Sequence, residues 1–216
     1  MKLYHGSTVP VQKPLLELCR PNNDYGAGFY MTQDNALASE WACKSLSDCG
    51  VVSEYRLKLD GLCMLDLDTD PYTVLNWIAV LMANRKVNFN GGADRAATRR
   101  FIERYRVDMD AADVVAGCRA DDSYFQIARA FTLGLINVQD LERVLKLGGL
   151  GRQIVLKSKK AFDAIEFVRA SPVETGVWYR RRQRRLMAAN EEFRTILASD
   201  DGVSGLRFSQ IAGGMQ

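Results

Sequence analysis

The sequence is short of the residues that most metal and nucleophilic sites need. Its 216 residues include one histidine, His5, and five cysteines. Zinc enzymes with several histidine ligands are therefore excluded, and any Ser-His-Asp or Cys-His arrangement would have to use His5. No Cys-x-x-Cys pair occurs and the cysteine count is odd, which argues against a zinc ribbon and against a disulfide framework. We predict no metal site, and reduced cysteines that fill space.

Long apolar runs are also missing. No run of eighteen apolar residues occurs, so the sequence predicts no membrane span and no membrane partner. The first ten residues, MKLYHGSTVP, lack the apolar stretch of a signal peptide, and we expect a cytoplasmic protein. A hydrophobic content of 47% is enough for one globular domain with small appendages.

The pattern of apolar residues favours an α+β fold. Short alternating or apolar runs predict strands near residues 2–5, 51–59, 62–67, 113–116, 153–156 and 164–168. Helical spacing predicts helices between them, one of them over 33–46 with Thr32 as its N-cap. The order is irregular and shows no βαβα alternation, so a doubly wound parallel sheet is not expected.

Positive charge is concentrated at the C-terminal end. Residues 176–216 hold seven Lys or Arg and four Asp or Glu, so the net charge of +3 falls in this segment. Its basic residues are densest in one predicted helix, at Arg180, Arg181, Arg182, Arg184 and Arg185. This run indicates either a solvated helix face or a contact with nucleic acid or an acidic partner. The last sixteen residues, rich in Gly and Ser, predict a frayed tail.

Two short segments have the composition of a ligand site. In LYHGS, His5 ends a predicted strand and is followed by Gly6, whose backbone a planar ligand could approach closely. In YGAGFYMT, two glycines precede the adjacent aromatics Phe29 and Tyr30. On a strand these two rings point to opposite faces, so one can enter the core while the other stacks on a ligand. Each segment alone is equally typical of a strand end or a turn.

Taken in this order, the two segments resemble the NAD-binding half of ADP-ribosyltransferases of the diphtheria-toxin and poly(ADP-ribose)-polymerase type. In those enzymes the histidine holds the adenosine-side ribose, the glycine backbone grips the nicotinamide amide, and the tyrosine stacks on the nicotinamide ring. The resemblance places these roles on His5, Gly6 and Tyr30, with Ser7 as a further contact to the amide. The full set of NAD contacts that it implies is His5, Gly6, Ser7, Gly28, Phe29, Tyr30 and Asp122.

Later segments are similar to a small uncharacterised bacterial family that is generally grouped with these enzymes. They are ADDSYF at 120–125, LGGLG at 147–151, QIVLKS at 153–158 and KAF at 160–162. The similarity covers about residues 2–170. It implies a split mixed and antiparallel β-sheet core with surrounding helices in residues 1–175, followed by a basic C-terminal helix and flexible tail in residues 176–216.

The third catalytic position departs from the family pattern. Such enzymes place a glutamate on a late strand, where it bonds the 2′-hydroxyl of the nicotinamide ribose and stabilises the sugar cation. The matching residue here is Gln153, which can accept that hydrogen bond but carries no charge. Asp121 or Asp122 could supply the missing charge, or could simply cap the helix that follows them.

The resemblance therefore implies a mono-ADP-ribosyltransferase with His5, Tyr30 and Gln153 as its catalytic residues. It would use NAD as co-substrate, without a metal, to modify a protein or nucleic acid, as a toxin or toxin–antitoxin component would. The Arg180–Arg185 run would then contact an antitoxin or a nucleic acid. Two alternatives stay open: a binding module for NAD or ADP-ribose without catalysis, and an NAD glycohydrolase that uses water as acceptor.

Overall fold

The computed structural model describes residues 1–85, 95–120, 124–149 and 151–213 and is a mixed α+β structure with two sheets, which confirms the predicted fold class. Its strands are β1 (Lys2–Ser7), β2 (Phe29–Met31), β3 (Val51–Leu57), β4 (Met64–Asp66), β5 (Val114–Cys118), β6 (Arg152–Leu156) and β7 (Ile165–Pro172). Its α-helices are α1 (Asn35–Ala42), α2 (Val74–Asn84), α3 (Arg95–Tyr105), α4 (Tyr124–Thr132), α5 (Val138–Leu145), α6 (Lys159–Asp163), α7 (Thr175–Ser199) and α8 (Phe208–Gly213). Within these ranges, no helix is both long and apolar enough to cross a lipid bilayer.

The strands form one antiparallel and one mixed sheet. The first has the order β1-β3-β7, and the second has the order β2-β6-β5-β4 with β4 and β5 parallel. A single bridge between Tyr4 and Thr32 connects β1 to the end of β2. The two sheets therefore meet along one edge, and β1 and β2 are the strands that face each other there.

Two hydrophobic clusters lie on opposite faces of the second sheet. Alternate residues of β6 serve the two clusters: Val155 packs with the larger one, and Ile154 and Leu156 pack with the smaller one. The run Ile-Val-Leu is typical of a strand that is buried on both faces. Helices α2, α3, α4, α5 and α8 contribute to the larger cluster, whereas the smaller cluster lies between the sheets and includes Leu3 and Tyr55.

The C-terminal segment shares the larger core with the rest of the chain. Phe193 and Ile196 of α7 and Phe208 and Ile211 of α8 are all buried in that cluster. The sequence predicted a flexible tail here, but α8 forms because its apolar residues find a face to cover. Helices α7 and α8 therefore share the larger core with the elements that precede them, and the domain boundary at residue 175 stays a prediction.

Two residues of the arginine run are used inside the molecule. Glu40 of α1 is buried and accepts from Arg181 Nε at 3.2 Å and from Arg185 Nε at 2.7 Å. These ion pairs hold α7 against α1. Arg180 and Arg184 are exposed, and the predicted partner surface is correspondingly smaller than the sequence suggested.

The start of α1 differs from the prediction. Asp34, rather than Thr32, caps the helix, because its Oδ1 accepts from the backbone N–H groups of Ala36 and Leu37. Thr32 is buried and its backbone pairs with Tyr4, so the chain is still extended at that point. The prediction of Thr32 as N-cap is wrong because strand pairing continues through this residue.

Candidate functional site

Strand β1 and the end of β2 are joined by one bridge, between Tyr4 and Thr32, and are not paired beyond it. Tyr4 N–H donates to the Thr32 carbonyl at 2.8 Å, and Thr32 N–H donates to the Tyr4 carbonyl at 2.9 Å. In an antiparallel ladder the next pair of this type would join Gly6 and Tyr30. The Tyr30 carbonyl instead bonds His5 Nδ1, at 2.7 Å. We call this opening, between residues 5–7 and residues 29–30, the β1–β2 split.

The split leaves the backbone of Gly6 without its ladder partner. Along an antiparallel strand, the backbone N–H and C=O groups of successive residues point alternately to the two sides. Met1 bonds Leu57 of β3, and Tyr4 bonds Thr32 on the opposite side. The N–H and C=O of Gly6 therefore point to the same side as those of Tyr4. Among the residues that the structure describes, neither the N–H nor the C=O of Gly6 has a hydrogen-bond partner. The split therefore presents one donor and one acceptor, side by side, on a single residue.

His5 forms the split and fixes its own tautomer. A carbonyl oxygen only accepts, so Nδ1 carries the proton in the bond to Tyr30. Burial lowers the pKa of His5 below its ordinary value, against the opposing effect of this hydrogen bond. The ring is therefore neutral at pH 7, and Nε2 carries a lone pair. Nε2 has no partner within the described part of the chain.

The two aromatics of β2 occupy opposite faces, as predicted. Phe29 is buried in the smaller cluster, with its ring centroid 4.5 Å from that of His5. Tyr30 is half-buried and lies against the larger cluster. Its hydroxyl donates to the Gly26 carbonyl at 2.7 Å and accepts from Tyr25 N–H at 2.9 Å. Burial raises the pKa of Tyr30 far above its usual range, so the phenol stays protonated.

The two glycines beside the split are required by packing. A Cβ on Gly6 would lie 1.9 Å from the Ala38 carbonyl oxygen of α1, and a Cβ on Gly28 would lie 2.7 Å from the Leu156 carbonyl oxygen of β6. Gly28 is buried against β6, so the structure gives it a packing role. Ser7 is half-buried, and its hydroxyl donates to the Val9 carbonyl at 2.7 Å.

The predicted catalytic residue Gln153 is bonded to a buried carboxylate, that of Asp24. Asp24 Oδ2 accepts from Gln153 Nε2 at 2.6 Å and from Ala120 N–H at 3.1 Å, while Oδ1 accepts from the Arg85 guanidinium. The exposed fractions of Asp24 and Gln153 are 3% and 2%, so these bonds are shielded from water. We call Asp24, Arg85, Gln153 and the Ala120 N–H the Asp24 group.

The loop that carries Asp24 also holds Tyr30. Its next residue, Tyr25, donates its hydroxyl hydrogen to the Cys118 carbonyl at 2.6 Å and accepts from Trp77 Nε1 at 2.8 Å. Lys157 Nζ donates to the Tyr25 carbonyl. The loop is therefore fixed from three sides, and it connects the hydroxyl of Tyr30 with the amide of Gln153.

Tyr30 and Gln153 share one face of the second sheet. Tyr30 pairs with Val155, and Gln153 lies two residues earlier on β6, so both side chains leave the sheet on the same side. Diagonal neighbours of this kind are about 7–8 Å apart.

The predicted site residues fall into three groups. His5, Gly6, Phe29 and Tyr30 meet at the β1–β2 split. Gln153 lies next to Tyr30 on the sheet, but its amide nitrogen is bound to Asp24. Asp121 and Asp122 lie outside the described residues.

Sequence reasoning missed Asp24 as a site residue. It ends the turn sequence PNND, and an acidic residue in a turn is ordinarily exposed. A basic partner 61 residues later and an amide 129 residues later bury it. The turn signal PNND and the glycine-rich segment after it gave no indication of such distant partners.

The cysteines are free thiols, as predicted, but only Cys43 is buried; Cys49 and Cys63 are exposed. Cys118 lies nearest to the Asp24 group, and burial raises its pKa to about 12. At neutral pH it is therefore a thiol rather than a nucleophilic thiolate. In the described ranges, three or more His, Cys, Asp or Glu side chains nowhere gather in a metal-binding arrangement.

Comparison with known proteins identifies the family. The chain belongs to a family of proteins of unknown function, DUF3990, whose model matches residues 1–167. No curated protein and no solved structure matches the chain. The match includes every residue of the split and of the Asp24 group and ends within β7, before α7 and α8.

Proposed function

We propose that the protein is an NAD-dependent mono-ADP-ribosyltransferase with an ADP-ribosyltransferase-like split sheet. The observation that carries this proposal is the Gly6 backbone pair, which His5 frees by taking the Tyr30 carbonyl. A nicotinamide carboxamide presents one of its two N–H donors and its C=O acceptor along one edge, and this edge is complementary to that pair. The resemblance of LYHGS and YGAGFYMT to the NAD-binding half of these enzymes supports the same reading.

The groups around Gly6 suit the rest of the co-substrate. The half-buried ring of Tyr30 provides a flat surface for stacking, with its hydroxyl already held by residues 25 and 26. The lone pair of His5 Nε2 can accept a hydrogen bond from a ribose hydroxyl. These roles need no proton transfer from either residue.

The reaction we propose breaks the bond between nicotinamide and ribose. The electron pair of that bond leaves with the nicotinamide nitrogen, and an acceptor atom then bonds the ribose carbon and loses its proton to solvent. The protein holds the leaving amide on Gly6 and orients the ribose for attack. Gln153 can accept a hydrogen bond from the ribose but supplies no negative charge. The acceptor would be a protein or nucleic acid, and Arg180 and Arg184 are exposed for contact with it or with an antitoxin.

One observation favours a second candidate, a module that binds NAD or ADP-ribose without catalysis. Gln153 stands where such enzymes carry a glutamate, and its amide nitrogen is bound to Asp24 in a buried group. Without a carboxylate next to the ribose, the sugar cation is stabilised less and turnover is slower. Binding would then persist while nicotinamide release falls.

The test is incubation of the protein with NAD labelled on its adenine half, together with candidate proteins and nucleic acids. A transferase releases nicotinamide and leaves label on an acceptor. A glycohydrolase releases nicotinamide and free ADP-ribose, and a binding module gives calorimetric NAD binding with no nicotinamide. If the wild-type protein shows neither binding nor release, the proposal is wrong.

Substitutions at the split test whether the proposed activity lies there. We expect His5→Ala and Tyr30→Ala to abolish nicotinamide release, because each removes a contact to the co-substrate. Tyr30→Phe is the matched control, since it keeps the ring and loses only the hydroxyl bonds to residues 25 and 26. Release at the wild-type rate in both alanine variants would contradict the assignment.

A further inference from the structure

The Asp24 group determines which way the Gln153 amide points. Both partners on one side of that amide, the Asp24 carboxylate at 2.6 Å and the Cys118 carbonyl at 3.4 Å, are pure acceptors. A carbonyl oxygen directed at either would meet a second lone pair, so the nitrogen must face them. The chemistry of the partners thus fixes an orientation that an amide would otherwise be free to reverse.

The oxygen of the same amide, Gln153 Oε1, is available to a ligand. Gln153 Oε1 has no hydrogen-bond partner among the described residues, and it is not one of the fully buried side-chain atoms that lack a partner. Oε1 therefore keeps some contact with solvent, and a ligand hydroxyl can reach this acceptor and donate a hydrogen bond to it. Oε1 is also on the face that Tyr30 shares, about 7–8 Å along the diagonal from its strand position.

Asp24 is well placed to keep this orientation when a ligand arrives. Arg85 and the Ala120 N–H hold the two carboxylate oxygens, so Asp24 cannot follow the amide if it turns. The group is shielded from water, which strengthens each of these bonds. Turning the Gln153 amide would place its oxygen against the carboxylate and would lose the bond at 2.6 Å.

We infer that Asp24 is a positioning residue which presents Gln153 Oε1 to the 2′-hydroxyl of the ribose next to the nicotinamide. This inference rests on the proposed function, because it uses NAD as the ligand. It assigns Asp24 a role through Gln153 alone and does not place it in contact with the ligand. The oxygen of Gln153 is then available as a fixed acceptor in every molecule.

The experiment compares NAD with an NAD analogue that lacks this one hydroxyl, the 2′-deoxy form of the nicotinamide ribose. Calorimetric binding of both compounds is measured for the wild type, Asp24→Asn and Gln153→Met. We expect the wild type to prefer NAD by about tenfold, the contribution of one well-oriented hydrogen bond. Both variants should bind the two compounds within about twofold of each other, because the oriented acceptor is lost.

A purely structural role of Asp24 would give a different result. It would weaken binding of NAD and of the 2′-deoxy analogue by the same factor and leave the preference at its wild-type value. Asp34→Asn, at the exposed cap of α1, is the matched control and should keep the full preference. A wild-type preference in Asp24→Asn overturns the inference while the proposed function stands, whereas a wild type that binds neither compound overturns both.

A second measurement uses the unaltered protein, so the inference can be tested even if the variants fail to fold. In the nitrogen-15 spectrum the Gln153 side-chain N–H that bonds Asp24 should give a downfield proton signal, absent in Gln153→Met. We expect this signal to persist when NAD binds, since the amide keeps its orientation. Its loss on addition of NAD would show that the amide turns, and the inference would be wrong.

Discussion

The β1–β2 split and the Asp24 group both contact the second sheet, through Tyr30 of β2 and Gln153 of β6, but satisfy their polar groups in opposite ways. At the split, the His5 side chain bonds the Tyr30 carbonyl, and the N–H and C=O of Gly6 have no partner among the described residues. In the Asp24 group, a carboxylate with four donors around it is fully bonded. Only Gln153 Oε1 lacks a partner there, within the described residues.

This difference separates the parts that recognise a ligand from the parts that hold the fold. Unpaired groups in a half-buried cleft are available for binding, whereas a bonded buried charge is costly to disturb and changes little on binding. We therefore assign recognition of the ligand to the split and to Gln153 Oε1, and support of the fold to Asp24 with its bonds to Arg85 and the Ala120 N–H. Substitutions in the two regions should accordingly affect ligand affinity and the free energy of unfolding in different proportions.

The largest effect on stability is expected from Asp24→Ala. The change removes the shared partner of Arg85, Gln153 and the Ala120 N–H, and it leaves a guanidinium that is only 19% exposed without its carboxylate. We expect a loss of about 3–5 kcal/mol in the free energy of unfolding, measured by urea denaturation. The control is Asp163→Ala, which removes an ion pair with Lys159 between two largely exposed side chains and should cost less than about 1 kcal/mol. Equal losses in the two variants would mean that the Asp24 group does not support the fold.

A smaller effect on stability, but a larger one on binding, is expected from Gly6→Ala. The added Cβ would lie 1.9 Å from the Ala38 carbonyl oxygen and 2.8 Å from the Ala42 nitrogen, so β1 and α1 must move apart. We expect a loss of roughly 1–3 kcal/mol in the free energy of unfolding, as for an overpacked core, together with loss of calorimetric NAD binding.

Gly176→Ala in α7 is the control for that substitution. Its Cβ would meet only the Arg180 guanidinium, at 3.7 Å, and alanine is the better helix former. Stability should therefore stay the same or rise slightly, and NAD binding should be unchanged. If Gly6→Ala binds NAD as tightly as Gly176→Ala does, the Gly6 backbone is not the contact we assign.

The fold was predictable where periodicity alone decides the structure. Strand β3 and helix α5 follow directly from alternation and helical spacing, and Asn137 caps α5 because its side chain accepts from Asp140 N–H. Helix α8 was not predicted, because its few apolar residues form a helix only when the larger core covers them. Likewise, nothing local to the arginine run indicates that Glu40, far away in sequence, is buried beneath it.

The candidate site divides in the same way. His5, Gly6, Phe29 and Tyr30 could be chosen from sequence, because each lies in a short motif on one strand. Asp24 could not, since its role depends on partners that only the folded chain brings near. The sequence did mark Gln153 as unusual, and the structure supplies a physical reason: a glutamate there would put a second carboxylate beside Asp24.

The smallest expected effect is the pH dependence that His5 gives to the split. Because burial lowers the pKa of His5 in the folded protein, the unfolded chain binds the proton more readily, with a pKa of about 6.5. Above about pH 6.5 the ring is neutral in both states, and its contribution to stability is constant. As the pH falls below that value, the unfolded state gains protons first and the folded state loses stability.

Urea midpoints between about pH 8 and pH 5 should therefore fall more steeply for the wild type than for His5→Asn, which keeps a donor for Tyr30 but does not titrate. His5 is the only histidine, so parallel curves over the whole range would mean that the ring is not buried as a neutral donor and that the split is held open in another way.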